Sequence, residues 1–158
     1  MDFTEVIKKR RSIRQFKEDT VPEEKLVAMI ELAKLAPSAG NLQSYKVAIL
    51  RGENLTNISA PINLVICADI DKSGVKYGER GKTLYAIQDA TVFASYLQLV
   101  AVELGLSTVW IGAFNEHKVR EKLTLSNNLM PVAIILLGYP SIDKVGVGNR
   151  RSYEEIVL

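Results

Sequence analysis

Between residues 83 and 104 the chain carries only two charged side chains, Asp89 and Glu103, over a stretch long enough for about six helical turns. A helix that is apolar on nearly every side is a central one, covered by other elements rather than laid on a surface. Gly105 is its natural stop. The remainder of the chain must therefore supply layers that enclose it.

Four apolar runs can do so. Residues 45–50, 62–68, 106–111 and 131–137 read as strands, and 62–68 is apolar at most positions, as expected for a strand buried in mid-sheet. Weak helical character covers 2–9. A second helix is expected after Asp19-Thr20-Val21-Pro22-Glu23, with Thr20 as its cap, Glu23 completing a capping box, and Leu26, Ile30 and Ala33 facing inward. Ala36-Pro37 ends it. Asn115 can cap a short helix that runs to Leu123, with Val119 and Leu123 inward. Residues 72–82 read as a Gly-rich, charged connection. Helices before, between and after about four strands, without strict alternation, predict an α+β fold. The expected form is a three-layer sandwich with a mixed, mostly antiparallel central sheet flanked by helices.

At 158 residues and 47% hydrophobic content, a single domain over 1–158 with an ordinary core is expected. The formal charge of +2 gives no general attraction to nucleic acid or membrane, so neither is expected as a partner. The basic residues are unevenly placed: Lys8, Lys9, Arg10, Arg11, Arg14 and Lys17 occur with no acid among them. The single cysteine, Cys67, sits in an apolar strand and reads as a buried small hydrophobe; the single histidine, His117, reads as a surface residue. One Cys and one His cannot form a Cys/His metal site or a thiol-protease dyad. No apolar run approaches a membrane span, and the polar start Met1-Asp2-Phe3-Thr4-Glu5 has no leader pattern, so a cytoplasmic protein is expected.

The chain has no phosphate-cradling Gly-rich signature of the P-loop or dinucleotide-fold type, and no nucleophile elbow. Glu23-Glu24 and Glu154-Glu155 read as solvated faces. With so few acids and bases, any redox or group-transfer chemistry would need a cofactor. Four segments could hold one. Arg10-Arg11-Ser12-Ile13-Arg14 gathers guanidinium groups and a hydroxyl suited to a phosphate monoester, a solvated basic turn being the competing reading. Pro37-Ser38-Ala39-Gly40-Asn41-Leu42-Gln43 combines small residues that admit a flat ligand with polar Ser38, Asn41 and Gln43; a plain loop would look the same. Trp110-Ile111-Gly112-Ala113-Phe114 ends a strand with accessible backbone at Gly112 and Ala113, while core packing is the competing reading of Trp110 and Phe114. Asn149-Arg150-Arg151-Ser152 offers cations from the far end of a polar tail that closes on apolar Ile156-Val157-Leu158; wrapping round a second subunit and disorder both account for such a tail.

These segments, together with Ile87-Gln88-Asp89-Ala90, Glu103-Leu104-Gly105-Leu106-Ser107-Thr108-Val109, Met130-Pro131-Val132-Ala133 and Leu137-Gly138-Tyr139-Pro140, occur in the order found in the nitroreductase family, which the chain resembles over nearly its whole length. Tyr77-Gly78-Glu79-Arg80-Gly81 is similar to one short-chain branch. The resemblance implies an FMN-dependent oxidoreductase, with NAD(P)H as co-substrate and FMN held between the subunits of a homodimer. It implies a hydride passed through flavin N5 to a small electron-poor acceptor such as a nitroaromatic or quinone. A non-catalytic FMN-binding or redox-sensing protein is the alternative. By position, Arg10 and Ser12, with Arg11 beside them, would hold the phosphate and ribityl chain, and Arg14 the pyrimidine edge. Pro37, Ser38, Ala39 and Asn41, with Gln43, would line the ring from the other subunit. Gly112 and Ala113 would present backbone to N5, with Ile111 beside them in the cofactor site, and Arg150 or Arg151 would complete the phosphate site. No side chain is assigned as catalytic, and no metal is implied. Ser44-Tyr45 stands where many members have Pro-Trp, and Asn149 where a Lys is common. The connections after 50 and after Asp69 are short, which implies an open pocket.

Overall fold

The structure, a computed structural model, describes residues 1–53, 55–142 and 146–158. Among the described residues there are five α-helices: α1 (Phe3–Lys9), α2 (Glu23–Ala33), α3 (Ile70–Arg80), α4 (Ala86–Glu103) and α5 (Glu116–Leu123). Four strands, β1 (Tyr45–Arg51), β2 (Ile62–Asp69), β3 (Ser107–Ile111) and β4 (Leu129–Gly138), form one sheet in the order β1-β2-β4-β3. All three pairings are antiparallel. The parallel element is a single bridge, Ser12 to Thr108, on the outer edge of β3.

Strand alternation divides the core into two. Ile62, Leu64, Ile66 and Ala68 of β2, with Ala133, Ile135 and Leu137 of β4, face α2 and α4. Val65, Cys67, Ile134 and Leu136 point the other way, onto Val119 of α5 and the loop residues Leu55, Ile58 and Ala60. This is the expected three-layer sandwich. Every residue of β2 is buried, as expected for a mid-sheet strand that is apolar at most positions, and Cys67 is buried with it. Helix α4 buries Ala86, Ala90, Phe93, Ala94, Leu97 and Ala101, and the Phe93 ring stacks on Tyr45 of β1 at 4.3 Å. No helix among the described residues is long and apolar enough to cross a membrane.

Two local expectations are corrected. Thr20 does not cap α2. The cap position falls on Pro22, whose extended ψ of 144° leaves Thr20 too far upstream for its hydroxyl to reach the first turn. Buried Val21 anchors the approach instead. Residues 72–82 are not a loop but most of α3 and the start of a π-turn, Gly81–Tyr85, that runs into α4. Asp69 supplies the cap, accepting the Lys72 N–H at 3.2 Å. Gly78, at φ 58° and ψ −142°, bends the chain within the stretch expected to be a Gly-rich connection.

Candidate functional site

Helix α1 ends at Lys9, and the Arg10 N–H closes it on the Val6 carbonyl at 3.0 Å. From there the chain is extended. Ser12 bridges Thr108, and the Ile13 N–H donates to the Thr108 carbonyl at 3.0 Å. Ile13 is buried, so in extended backbone Arg10, Ser12 and Arg14 share the opposite face. Arg11 falls on the other side, and its Nη1 donates to the Arg10 carbonyl at 2.7 Å, bracing the turn. None of the ion pairs among the described residues involves Arg10, Arg11 or Arg14. The segment is thus a cationic ridge laid along the β3 edge with its charge unspent.

Parallel register carries that ridge toward the end of β3, where Ile111 leads to Gly112 and Ala113, both exposed. A Cβ at Gly112 would meet only Trp110 Nε1, at 3.8 Å, so nothing within the protomer demands a glycine there. Trp110 and Phe114 pack into opposite halves of the core, as the plainer reading of them holds. Ile111, Ala113, Phe114, Asn115 and Lys118, with Leu55–Ile58 across from them, line a cleft of about 720 Å³ at this end of the strand.

The Pro37–Gln43 loop lies at the start of β1, the opposite edge of the sheet. Three strand spacings, about 14 Å, separate the two edges. One protomer therefore does not bring this loop to Arg10 or Gly112. The loop is tightly wired. Ser38 Oγ accepts the Gln43 N–H at 2.9 Å, and Gln43 Nε2 donates to the Asn41 carbonyl at 3.1 Å. Gly40, Asn41 and Gln43 all have positive φ, of 56°, 57° and 52°. For Gln43 that is a strained conformation, of the kind that survives where its surroundings over-determine it.

Asp89 provides those surroundings, and sequence reasoning missed it. It is buried in α4, with Oδ1 accepting the Ala39 N–H at 2.9 Å and Oδ2 facing the Ser44 N–H at 3.4 Å. Its charge, after burial itself, also holds the Tyr45 phenol above its ordinary pKa. The signal was present: an acid in the middle of a helix that is apolar on nearly every side has to be partnered. A second buried polar side chain of α4, Gln98, donates from Nε2 to Thr108 Oγ1 at 3.2 Å, beside the Ser12 bridge.

Arg150 and Arg151 are not brought to Arg10. Arg150 Nη1 donates to the carbonyls of Gly148 and Asn149 at 3.0 and 3.1 Å, and Arg151 Nη1 to that of Glu155 at 3.4 Å. Every residue from 146 to 158 is exposed, including Val147, Tyr153, Ile156 and Val157. Glu154-Glu155 and His117 are exposed, as expected.

Comparison with known proteins gives this arrangement a context. The nitroreductase family model matches residues 7–62 and 57–139, which include the Arg10 ridge, the loop and the β3 end. The solved nitroreductase family protein of Clostridium difficile 630 is 33% identical and superposes with a TM-score of 0.86 over 100% of this chain and 98% of that one. A protein of Clostridium difficile R20291, described as an FMN-dependent nitroreductase, is 30% identical with a TM-score of 0.78 over 97% and 96% of the two chains. A Bacillus subtilis protein named FMN reductase [NAD(P)H] is 28% identical over 88% of this chain and 67% of its own length. With the motifs in order along the sequence and the strands matching in space, the chain belongs to the nitroreductase family.

Proposed function

We propose that this chain is an FMN-dependent NAD(P)H oxidoreductase that works as a homodimer. The observation that carries the reading is the unneutralised ridge of Arg10, Ser12 and Arg14, which runs along β3 toward a glycine that the protomer itself does not need. The donor set fits FMN. Guanidinium groups free of carboxylates suit a phosphate dianion, and the open side of Gly112 leaves room for a flat ring against backbone. Arg10 and Ser12 hold the phosphate end, Arg14 sets positive charge beside the pyrimidine edge, and the Gly112 and Ala113 backbone faces the ring. When bound, the flavin supplies the hydride-accepting centre that the side chains lack.

The Pro37–Gln43 loop is some 14 Å away across its own sheet, so it completes this site from a second copy of the chain. The exposed tail is the other element suited to crossing. Its apolar residues have no cover within the protomer among the described contacts, and Arg150 and Arg151 travel with it. Small electron-poor acceptors, nitroaromatics or quinones, take the place the nicotinamide vacates, because the short connection between β2 and α3 adds no lid.

Purification tests this directly. The expected product is a yellow protein with one FMN per protomer and the mass of a dimer, whose flavin band bleaches on mixing with NADH or NADPH. A colourless monomer that takes up no FMN overturns the proposal. A flavin that binds but is bleached by neither nucleotide supports the passive, sensing alternative.

A further inference from the structure

The segment Tyr77-Gly78-Glu79-Arg80-Gly81 takes no part in these cofactor contacts, yet its backbone departs from regular helix. Gly78 occupies a region of positive φ open essentially to glycine alone, and the π-turn Gly81–Tyr85 follows at once. A Cβ at Gly81 would overlap the Ser73 carbonyl. Such departures from regular helix concentrate at functional positions.

Here they present two aromatic rings and two cations. Tyr77 and Tyr85 meet edge to face at 5.2 Å. Lys76 Nζ lies 5.4 Å from the centre of the Tyr77 ring, and the Arg80 guanidinium 5.5 Å from that of Tyr85, with Nε donating to the Tyr85 hydroxyl at 3.1 Å. Lys82 is paired with Asp71 at 3.6 Å, whereas neither Lys76 nor Arg80 has an ion-pair partner among the described residues, Glu79 on the same turn included. The cluster rests on the Pro37–Gln43 loop. A Cβ on Gly40 would come within 2.5 Å of the Tyr77 hydroxyl and 2.6 Å of Lys76 Nζ.

We propose that Lys76 and Arg80, with the rings of Tyr77 and Tyr85, receive the phosphorylated adenosine end of the nicotinamide dinucleotide. This rests on the reading of the loop as the wall of the flavin ring. A nicotinamide placed on that ring must run the rest of its length past the loop, and this cluster is the cationic surface that touches it. Guanidinium and ammonium groups bind phosphate oxygens, and tyrosine faces accept an adenine ring. NADPH brings a further phosphate dianion, so the patch favours it over NADH.

The test uses the flavin-loaded, full-length protein. Both cations are exposed, so the Lys76→Ala/Arg80→Ala variant keeps its fold. The KM for NADPH is expected to rise about tenfold to a hundredfold, that for NADH by less, with kcat and FMN affinity unchanged. Lys82→Ala, whose charge is already neutralised, leaves both KM values in place. Calorimetry with adenosine 2′,5′-bisphosphate is expected to show binding to the parent protein and none to the double variant. Unchanged KM values, or bisphosphate binding that ignores both substitutions, overturn the patch. A protein that binds the bisphosphate through Lys76 and Arg80 but oxidises neither nucleotide keeps the patch and sinks the oxidoreductase reading instead.

Discussion

Asp89 and Gln98 are the two polar side chains that α4 buries, and each fastens a different segment of the proposed site. Asp89 holds the Ala39 and Ser44 amides at the β1 edge, and Gln98 holds Thr108 beside Ser12 at the β3 edge. Nine residues of helix, about 13.5 Å, lie between them. The span matches the width of sheet that separates the two edges, so one rigid element sets where both halves of the site are presented.

Asp89→Asn puts an amide NH2 against one of two backbone N–H donors. A loss of about 1–3 kcal/mol is expected in urea unfolding, with faster proteolysis in the loop. Tyr45 supplies a second readout. Burial and then the Asp89 charge raise its pKa, so its ultraviolet titration should move back toward 10 in the variant. An unmoved Tyr45 titration would show that the carboxylate does not act as drawn.

Gln98→Leu leaves Thr108 Oγ1 without its donor, at a cost of about 1 kcal/mol. FMN affinity, followed by fluorescence quenching, should fall severalfold because the Ser12 bridge is next to that hydroxyl. Thr108→Val should add little on top of Gln98→Leu, since the two side chains form one pair.

Arg10→Ala removes a charged phosphate contact and is expected to weaken FMN binding by about tenfold to a hundredfold. Arg14→Ala should instead slow flavin reduction with a smaller change in affinity. Equal FMN titrations for Arg10→Ala and the parent protein would remove Arg10 from the phosphate site.

What the residues alone made legible divides along physical lines. The central strand 62–68 and the long helix are visible because burial on all sides leaves almost no charge in the sequence. Helix α3 is hidden because its glycines, read locally, weaken a helix, whereas in the structure Gly81 lets the π-turn that follows fold back against the Ser73 backbone of α3. The Thr20 cap fails because several polar residues precede the helix and only three-dimensional placement of Val21 fixes which one starts it. The site motifs could be recognised singly, but their separation on opposite sheet edges is a property of strand order, which local sequence does not encode. Asp89 was visible as an acid amid apolar helix, and its two amide partners were not.

Burial pushes the Cys67 thiol up to about 11, with the Arg120 guanidinium pulling weakly the other way. An unfolded thiol releases its proton near 8.5. The folded chain therefore holds the proton in the window between, and stability from this group is full below that window and is lost as pH rises toward 11. The loss should be on the order of 3 kcal/mol, seen as a steeper alkaline fall in unfolding free energy than Cys67→Ala shows. Parallel curves for the two proteins would contradict it.

Gly81→Ala drives a methyl into the Ser73 carbonyl and to 2.9 Å from Tyr77 Cβ. Backbone cannot yield as a side chain can, so a loss of about 1–3 kcal/mol is expected in thermal or urea unfolding. Gly52→Ala, where a Cβ would meet nothing within 4 Å but φ is 65°, isolates the smaller conformational cost.

The central pairing of β2 with β4 joins residues sixty or more positions apart in the chain, from Asp69 with Leu129 to Ile62 with Leu137. A ribosome releases the wholly buried, mostly apolar β2 long before its inner neighbour exists. During synthesis that strand can be covered on one edge by the β1 hairpin, but its other edge stays open until residues 129–138 emerge. Recombinant yield should therefore depend on translation speed and on holdase chaperones, and truncation before Leu129 should send the nascent product into inclusion bodies.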